Sequence, residues 1–198
     1  MHLEIPNLEE VVLGIDPGST HSGIVVLENG RLVRGDNLSN EDMFTLIDWY
    51  GIFHPEIKLL IIYEDIRPYT SRFNMATINT CKVIGRLEYV LNLQRIRHKS
   101  ITRNEVKNYV FTTHSEMCIS EITKKIERKK KTKKDGSSLK PSFQYVDDRI
   151  VHKAMRSQWE ITSKRGLVNN MGIKDHAWQA LGAITACILS EEPSFSVT

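Results

Sequence analysis

The hydrophobic and polar positions along the chain divide it into strand-like runs and segments with helical periodicity. Apolar runs bounded by turn residues predict five strands, at Glu10–Asp16, Ser22–Leu27, Arg31–Arg34, Lys58–Tyr63 and Gln94–Ile101. The turn Glu28–Gly30 predicts a hairpin between the second and third strands. The Ile-rich fourth run is typical of a strand buried on both faces, as in the centre of an α/β sheet.

Apolar residues that recur with a helical period predict helices at Asn40–Tyr50, Thr77–Asn92, Thr102–Phe111, Asp147–Glu160 and Asp175–Leu189. Asn40 is the predicted N-cap of the first helix, and Thr102 followed by Glu105 predicts a capping box. A strand meander followed by alternating helices and strands predicts an α/β domain, with a mixed β-sheet flanked by helices on both faces.

The length of 198 residues favours a single domain over residues 1–198. Residues 112–145 interrupt the regular pattern, because they are polar, carry a run of lysines and contain Asp135–Ser138 and Pro141. We therefore expect a basic, partly flexible insertion at about 112–145.

Cysteine usage and hydrophobicity indicate a cytoplasmic protein. The three cysteines are scattered, which argues against a disulfide framework and a Cys-based zinc site. The longest apolar stretch, Ala177–Leu189, is shorter than the roughly 20 residues that span a membrane. The first residues lack the pattern of a signal peptide.

The net charge of +3 conceals a strongly basic segment in a mildly acidic chain. Between Lys124 and Lys134 there are eight basic residues and one acidic residue, a local balance of +7. We expect contacts between this segment and the phosphates of a nucleic acid, and a solvated, mobile loop is the alternative. Its lysines are Lys124, Lys125, Lys129, Lys130, Lys131, Lys133 and Lys134.

Three carboxylates stand at the ends of predicted elements. Asp16 ends the first strand, Glu64 follows the buried fourth run, and Asp175 lies in the first turn of the last helix. Each also has a simpler interpretation: Asp16 as a turn former, Glu64 as the point where a strand meets water, and Asp175 as a helix cap.

The arrangement of the three carboxylates is more informative than any one of them. If the first and fourth strands are neighbours, Asp16 and Glu64 emerge side by side and the last helix brings Asp175 against them. Converging carboxylates repel one another unless a cation neutralises them, and oxygen ligands suit Mg²⁺, for which Mn²⁺ substitutes. Two such ions, about 3.5–4 Å apart, promote phosphodiester hydrolysis.

Three motifs in this order resemble those of RuvC-like Holliday junction resolvases. They are Gly14–Ser19 with Ser22-Gly23, the strand end Ile61–Glu64, and the start of the final helix, Asp175–Leu181. The resemblance extends over roughly residues 10–110 and 146–190. The compact size and the departures from the family pattern are more similar to phage members than to the cellular enzyme. The resemblance therefore implies the cytoplasm of a bacterium or of a phage-infected cell.

This resemblance implies an RNase H-like fold and a Mg²⁺-dependent, homodimeric endonuclease that resolves four-way DNA junctions. It implies that Asp16, Glu64 and Asp175 bind metal and that His176 is a further catalytic residue. An exposed first-turn histidine is the alternative for His176. The chain departs from the family at Gln179, where a carboxylate is usual, and in the 112–145 insertion.

Basic and aromatic residues near these motifs predict DNA contacts. Aromatics interleaved with arginines after Glu64 suit stacking on unpaired bases, although packing of the rings beneath their loop is the alternative. Gly85 lies within a predicted helix and suggests close helix contact, either across the family's dimer interface or within one chain. The predicted DNA-binding residues outside the lysine run are Arg67, Tyr69, Arg72, Phe73, Lys99 and Arg103.

Three other functions compete with junction resolution. Actin-like ATPases and sugar kinases open with a motif similar to Gly14–Thr20, but they need two related halves and a second phosphate loop that this chain lacks. An RNase H-like nuclease acting on RNA or flap DNA retains the fold and changes the substrate. In a non-catalytic protein that binds branched DNA, the three carboxylates would be residual.

Overall fold

The computed structural model describes residues 10–66, 74–132, 140–161, 173 and 176–190, with the backbone alone for 128–132 and 190. Five strands form one sheet in this part of the chain. They are β1 Glu10–Asp16, β2 His21–Glu28, β3 Arg31–Ser39, β4 Lys58–Asp65 and β5 Arg97–Thr102.

The strand order is β3-β2-β1-β4-β5, and it combines an antiparallel meander with a parallel half. Strand β1 pairs antiparallel with β2 and parallel with β4, which in turn pairs parallel with β5. The predicted mixed sheet is therefore confirmed, as is the pairing of the first and fourth strands. Strand β3 is longer than predicted because its pairing with β2 continues from Arg31 to Ser39.

The helices cover both faces of the sheet, as predicted. Helices α1 and α2 pack on one face, and α3, α4, α5 and α6 form the core on the other. The described part of the chain has no helix that is long and apolar enough to cross a membrane. The bounds are α1 Asn40–Gly51, α2 Met75–Leu93, α3 Arg103–Thr113, α4 Ser115–Thr132, α5 Asp148–Gln158 and α6 Ala177–Ser190, with a short 3₁₀ turn at Phe143–Tyr145.

The first half of the expected insertion differs from the sequence-based expectation, because residues 115–132 form helix α4. Cys118, Ile122 and Ile126 are spaced four residues apart and lie buried against α3 and α5 in the same core cluster. The surrounding lysines and glutamates mask this narrow apolar stripe in the sequence. Residues 133–139 lie outside the described part of the chain.

Helix caps explain two of the helix starts. The capping box predicted at Thr102 and Glu105 is present at the start of α3. The cap of α1 is Ser39 rather than Asn40, since the Ser39 hydroxyl accepts a hydrogen bond from the amide of Asp42. Asn40 is the first residue of α1 and binds the loop after β1 instead.

Helix α6 lies unusually close to the sheet, and two glycines make this possible. A β-carbon at Gly14 would lie 2.5 Å from Cδ1 of Ile184, and one at Gly23 would lie 2.2 Å from the backbone carbonyl carbon of His176. Gly23 is the strand partner of Asp16. The absence of a side chain at Gly23 therefore lets the start of α6 approach the end of β1.

We expect Gly23→Ala to lower the free energy of unfolding by about 1–3 kcal/mol, because the new methyl group overlaps backbone that has no room to yield. Denaturant unfolding measures this change. Gly35→Ala is the matched variant: its β-carbon meets a side-chain atom, Cγ1 of Ile173 at 2.7 Å, and a smaller loss is expected. Equal stability of Gly23→Ala and the unmodified protein would contradict this account of α6.

Candidate active site

Asp16 and Glu64 lie side by side at the ends of two neighbouring parallel strands. Ile15 pairs with Tyr63, so the next residue of each strand is one of the two acids. Side chains alternate between the faces of a sheet, and even-numbered residues of β1 and β4 such as Val12 and Ile62 face α6. The two carboxylates therefore share this face, and both residues are buried, at 9% and 7% exposure.

The loop after Asp16 is held in place by polar contacts from β2 and α1. The Ser22 hydroxyl donates to the side-chain oxygen of Asn40 at 2.8 Å, and the Asn40 amide donates to the carbonyl of Gly18 at 3.1 Å. The backbone N–H of Gly18 donates to the Ser22 hydroxyl at 3.3 Å. These bonds tie the Pro17–Gly18 turn to the sheet and fix the backbone that carries Asp16.

His176 stands immediately before α6 and contacts Asp16. Its Nδ1 lies 2.8 Å from Oδ2 of Asp16, and its side chain is half exposed. The close approach of α6 over Gly23 creates this contact between residues 160 positions apart. Asp175, predicted as a third metal ligand, lies outside the described residues.

Arg103, predicted to contact DNA, occupies the opposite side of the same pocket. Its Nη1 donates to Oε2 of Glu64 at 2.9 Å and to Oε1 of Gln179 at 2.6 Å, and its Nη2 pairs with the carboxylate of Asp148. Asp148 begins α5, and the neighbouring Asp147 caps that helix by accepting from the amide of Ile150. Sequence reasoning missed this network, because no local pattern joins residues of β4, α3, α5 and α6.

The electrostatics of the pocket reflect burial and charge together. Burial raises the pKa of the Glu64 carboxyl to about 7, the Arg103 guanidinium opposes this shift, and the negative charge of Asp16 adds to it. Burial lowers the pKa of Arg103, but Glu64 and Asp148 outweigh it and the net shift is upward. Arg103 therefore remains a cation inside the pocket.

One open pocket collects these side chains at the carboxyl edge of β1 and β4. The donor chemistry suits a hard divalent cation, because two buried carboxylates and an imidazole border the same space. No group of three or more histidine, cysteine, aspartate or glutamate side chains in the described ranges is already arranged to hold a metal. The lining residues are Asp16, Pro17, Gly18, Ser19, Thr20, His21, Asn37, Glu64, Ile66, Thr80, Arg103, Asp148, His176 and Gln179.

The remaining predicted DNA-binding residues are only partly covered by the structure. Lys99 is exposed on β5. Lys124 lies 3.7 Å from Glu121, and Lys125 lies 2.7 Å from Asp147, so both make ion pairs within the chain. Arg67, Tyr69, Arg72, Phe73, Lys133 and Lys134 lie outside the described residues, as do the side chains of Lys129, Lys130 and Lys131.

Comparisons with known proteins show the fold. No protein-family model matches the chain, and no match to a curated protein sequence was found. The structure of Thermus thermophilus RuvC is similar over 91% of this chain and 95% of that chain, with a TM-score of 0.53 and 15% identity. T. thermophilus RuvC in complex with a Holliday junction substrate gives a TM-score of 0.55 and 14% identity, over 92% and 94%. The chain therefore has the RNase H-like fold of RuvC, as the sequence motifs predicted.

The raised pKa of Glu64 predicts a pH-dependent effect of Glu64→Gln on the metal-free protein. Below pH 4.5 the carboxyl is protonated in the folded and the unfolded chain, and the two proteins should have similar stability. Between pH 4.5 and about 7 the unfolded chain ionises first, so the stability of the unmodified protein falls as pH rises.

Above pH 7, Glu64→Gln should therefore be the more stable protein, by up to about 3 kcal/mol at 1.36 kcal/mol per pKa unit. Urea unfolding in EDTA across this pH range measures the difference. A difference that does not change with pH would mean that Glu64 ionises in the folded chain as it does in water.

Proposed function

We propose that this protein is a structure-selective endonuclease that resolves Holliday junctions and other branched DNA by metal-dependent phosphodiester hydrolysis. The observation that carries the proposal is the pairing of Asp16 and Glu64, buried at adjacent strand ends and open to one pocket. Burying two carboxylates together is unfavourable without cations, and the guanidinium of Arg103 pairs with only one of them, Glu64, so their position favours a role in binding a further cation.

Asp16, Glu64 and His176 are the described residues that would hold Mg²⁺, or Mn²⁺ in its place. Asp175 is a further proposed ligand on the strength of the sequence motif. A divalent ion at such carboxylates activates water and neutralises charge on a phosphate. The contact between Asp16 and His176 places both side chains on one side of the pocket, and the buried Glu64 lines the same pocket from β4.

Branched DNA is the proposed partner because two independent features support it. The fold extends over nearly the whole length of a RuvC chain whose structure was solved with a Holliday junction substrate. The basic segment supplies charge for phosphate contacts outside the pocket, and the aromatics Tyr69 and Phe73 remain proposed stacking groups. Membership among phage-type resolvases is proposed from the size and the sequence departures alone.

The test of this function is cleavage of a four-way junction in Mg²⁺, compared with duplex DNA, flap DNA and an RNA–DNA hybrid. We expect the four-way junction to be cleaved faster than the other three substrates. Preferred cleavage of the flap or the hybrid would instead assign the pocket to another kind of RNase H-like nuclease. Junction binding without any cleavage would indicate a binding protein.

Asp16→Asn should abolish junction cleavage, with a loss greater than the roughly 100-fold that outer-shell changes at metal sites cause. Binding of the junction should persist or tighten, since less negative charge faces the phosphates. Asp175→Asn should lose cleavage only if Asp175 is a ligand, because asparagine caps helices as well as aspartate does. Gel-based cleavage and binding assays measure both effects.

The matched control for Asp16→Asn is Asp36→Asn, which removes a half-exposed carboxylate that pairs with Arg34 outside the pocket. This variant should cut normally. If Asp16→Asn retains near-normal cleavage in Mg²⁺, the proposed hydrolytic function is wrong.

A homodimer is proposed because a four-way junction is two-fold symmetric and each chain has one such pocket among its described residues. Helix α2 offers a surface for it: Met75, Tyr89 and Leu93 are each about two-thirds exposed, although all three are large hydrophobic residues. A β-carbon at Gly85, on the same helix, would meet no atom within 4 Å in the described part of the chain. Packing against the described residues therefore does not explain Gly85, which supports contact with a second chain.

Leu93→Glu should convert the dimer to a monomer, because it places a charge on a surface that pairing would bury. Sedimentation velocity measures the change. Ile119→Glu is the matched control, since Ile119 is a half-exposed hydrophobic residue on α4, and it should remain dimeric. A monomeric unmodified protein, both free and bound to junction DNA, would refute the dimer.

A further inference from the structure

Arg103 is held on several sides inside the proposed active site. It is the first residue of α3, and its side chain is only 23% exposed. Its guanidinium contacts Glu64 from β4, Asp148 from α5 and Gln179 from α6. These contacts hold Arg103 as a cation inside the pocket. An arginine that contacts DNA phosphates along an outer path would instead be exposed to solvent.

The position of Arg103 would be unfavourable without the carboxylates that surround it. A cation in the first turn of a helix opposes the positive end of the helix dipole. Burial also removes water from the guanidinium, and the pairs with Glu64 and Asp148 offset that loss. The arrangement therefore stabilises the carboxylates at the expense of the helix start.

The charges in the pocket then leave room for one divalent ion. Three carboxylates line it among the described residues, the buried Asp16 and Glu64 and the largely exposed Asp148, and Arg103 pairs with Glu64 and Asp148 and offsets one of these charges. Among the described residues, the two charges that remain equal those of a single divalent cation. Gln179 adds no charge, and its amide oxygen accepts a hydrogen bond from Arg103 at 2.6 Å.

We propose that Arg103 is a built-in substitute for a second metal ion, so that the site binds one divalent cation beside a permanent guanidinium. This inference rests on the proposed metal-dependent function, and it replaces the expectation of two ions and of Arg103 on an outer phosphate path. The ion would bind Asp16, His176 and Glu64, whose Oε2 also accepts from Arg103, while Arg103 pairs with Asp148 on the other side of the pocket.

The experiment counts Mn²⁺ ions bound to the full-length protein without DNA, by electron paramagnetic resonance titration and calorimetry. The unmodified protein should bind one ion per chain. Arg103→Ala releases Glu64 and Asp148 from their partner, and the count should rise to two. Arg103→Lys retains a positive charge and should still bind one.

Arg34→Ala is the matched control, since it removes an arginine that pairs with a carboxylate, Asp36, outside the pocket. Its count should remain one. Circular dichroism establishes that each variant is folded before its ions are counted. If Arg103→Ala fails to fold in EDTA, folding it in Mn²⁺ and finding two tightly held ions supports the inference, and failure to fold in Mn²⁺ as well overturns it.

Two ions on the unmodified protein would overturn the inference directly, including the case in which Asp175 completes a second site. One ion on a folded Arg103→Ala protein would overturn it too. Both results leave the proposed function intact if the junction is cut. Absence of Mn²⁺ binding together with absence of cleavage would instead overturn the proposed function, and the inference with it.

Discussion

The close packing of α6 on β1 and β2 is the constraint on which the site depends. Gly14 and Gly23 leave no side chain between the helix and the strands, and any β-carbon there would overlap α6. The helix therefore packs directly on the sheet, and its own residues Ala180, Leu181 and Ile184 are fully buried. Because its first turn lies over the end of β1, His176 reaches Asp16. The apolar core and the polar pocket are thus consequences of the same contact.

Three helix starts meet at the pocket, and they balance the buried acids. Arg103 begins α3, Asp148 begins α5, and His176 directly precedes α6. The amino ends of helices carry partial positive charge, which favours nearby carboxylates and phosphates. Asp148 is in the favourable place for an acid, whereas Arg103 is in an unfavourable place for a base and is retained there by its partners. The pocket is consequently less negative than its carboxylates alone suggest.

The sequence was sufficient to predict the sheet, since apolar runs and turns mark each strand and the parallel pairing places Asp16 beside Glu64. It was not sufficient for contacts between distant elements. Arg103 was predicted only as a DNA contact, and no sequence pattern joins it or Asp148 to Glu64, which the fold brings beside them. Helix α4 was missed for another reason. Its buried stripe consists of only three residues among many charged ones, so the polar composition hid the helical periodicity. The cap at Ser39 was assigned to Asn40 because both residue types cap helices and adjacent candidates look alike in sequence.

The side chains at positions 103 and 179, an arginine and a glutamine, are chemically complementary. An amide at Gln179 with no nearby cation would leave Glu64 and Asp148 facing one another without a partner, and the negative charge of Asp148 raises the pKa of the buried Glu64. A guanidinium at Arg103 beside a carboxylate at 179 would add an acid that competes with Glu64 for the same donors. With Arg103 and Gln179 together, the guanidinium binds two carboxylates and one neutral acceptor, and every contact has complementary polarity. The departure from the expected carboxylate at 179 is therefore compensated within the pocket, by a residue 76 positions earlier in the chain.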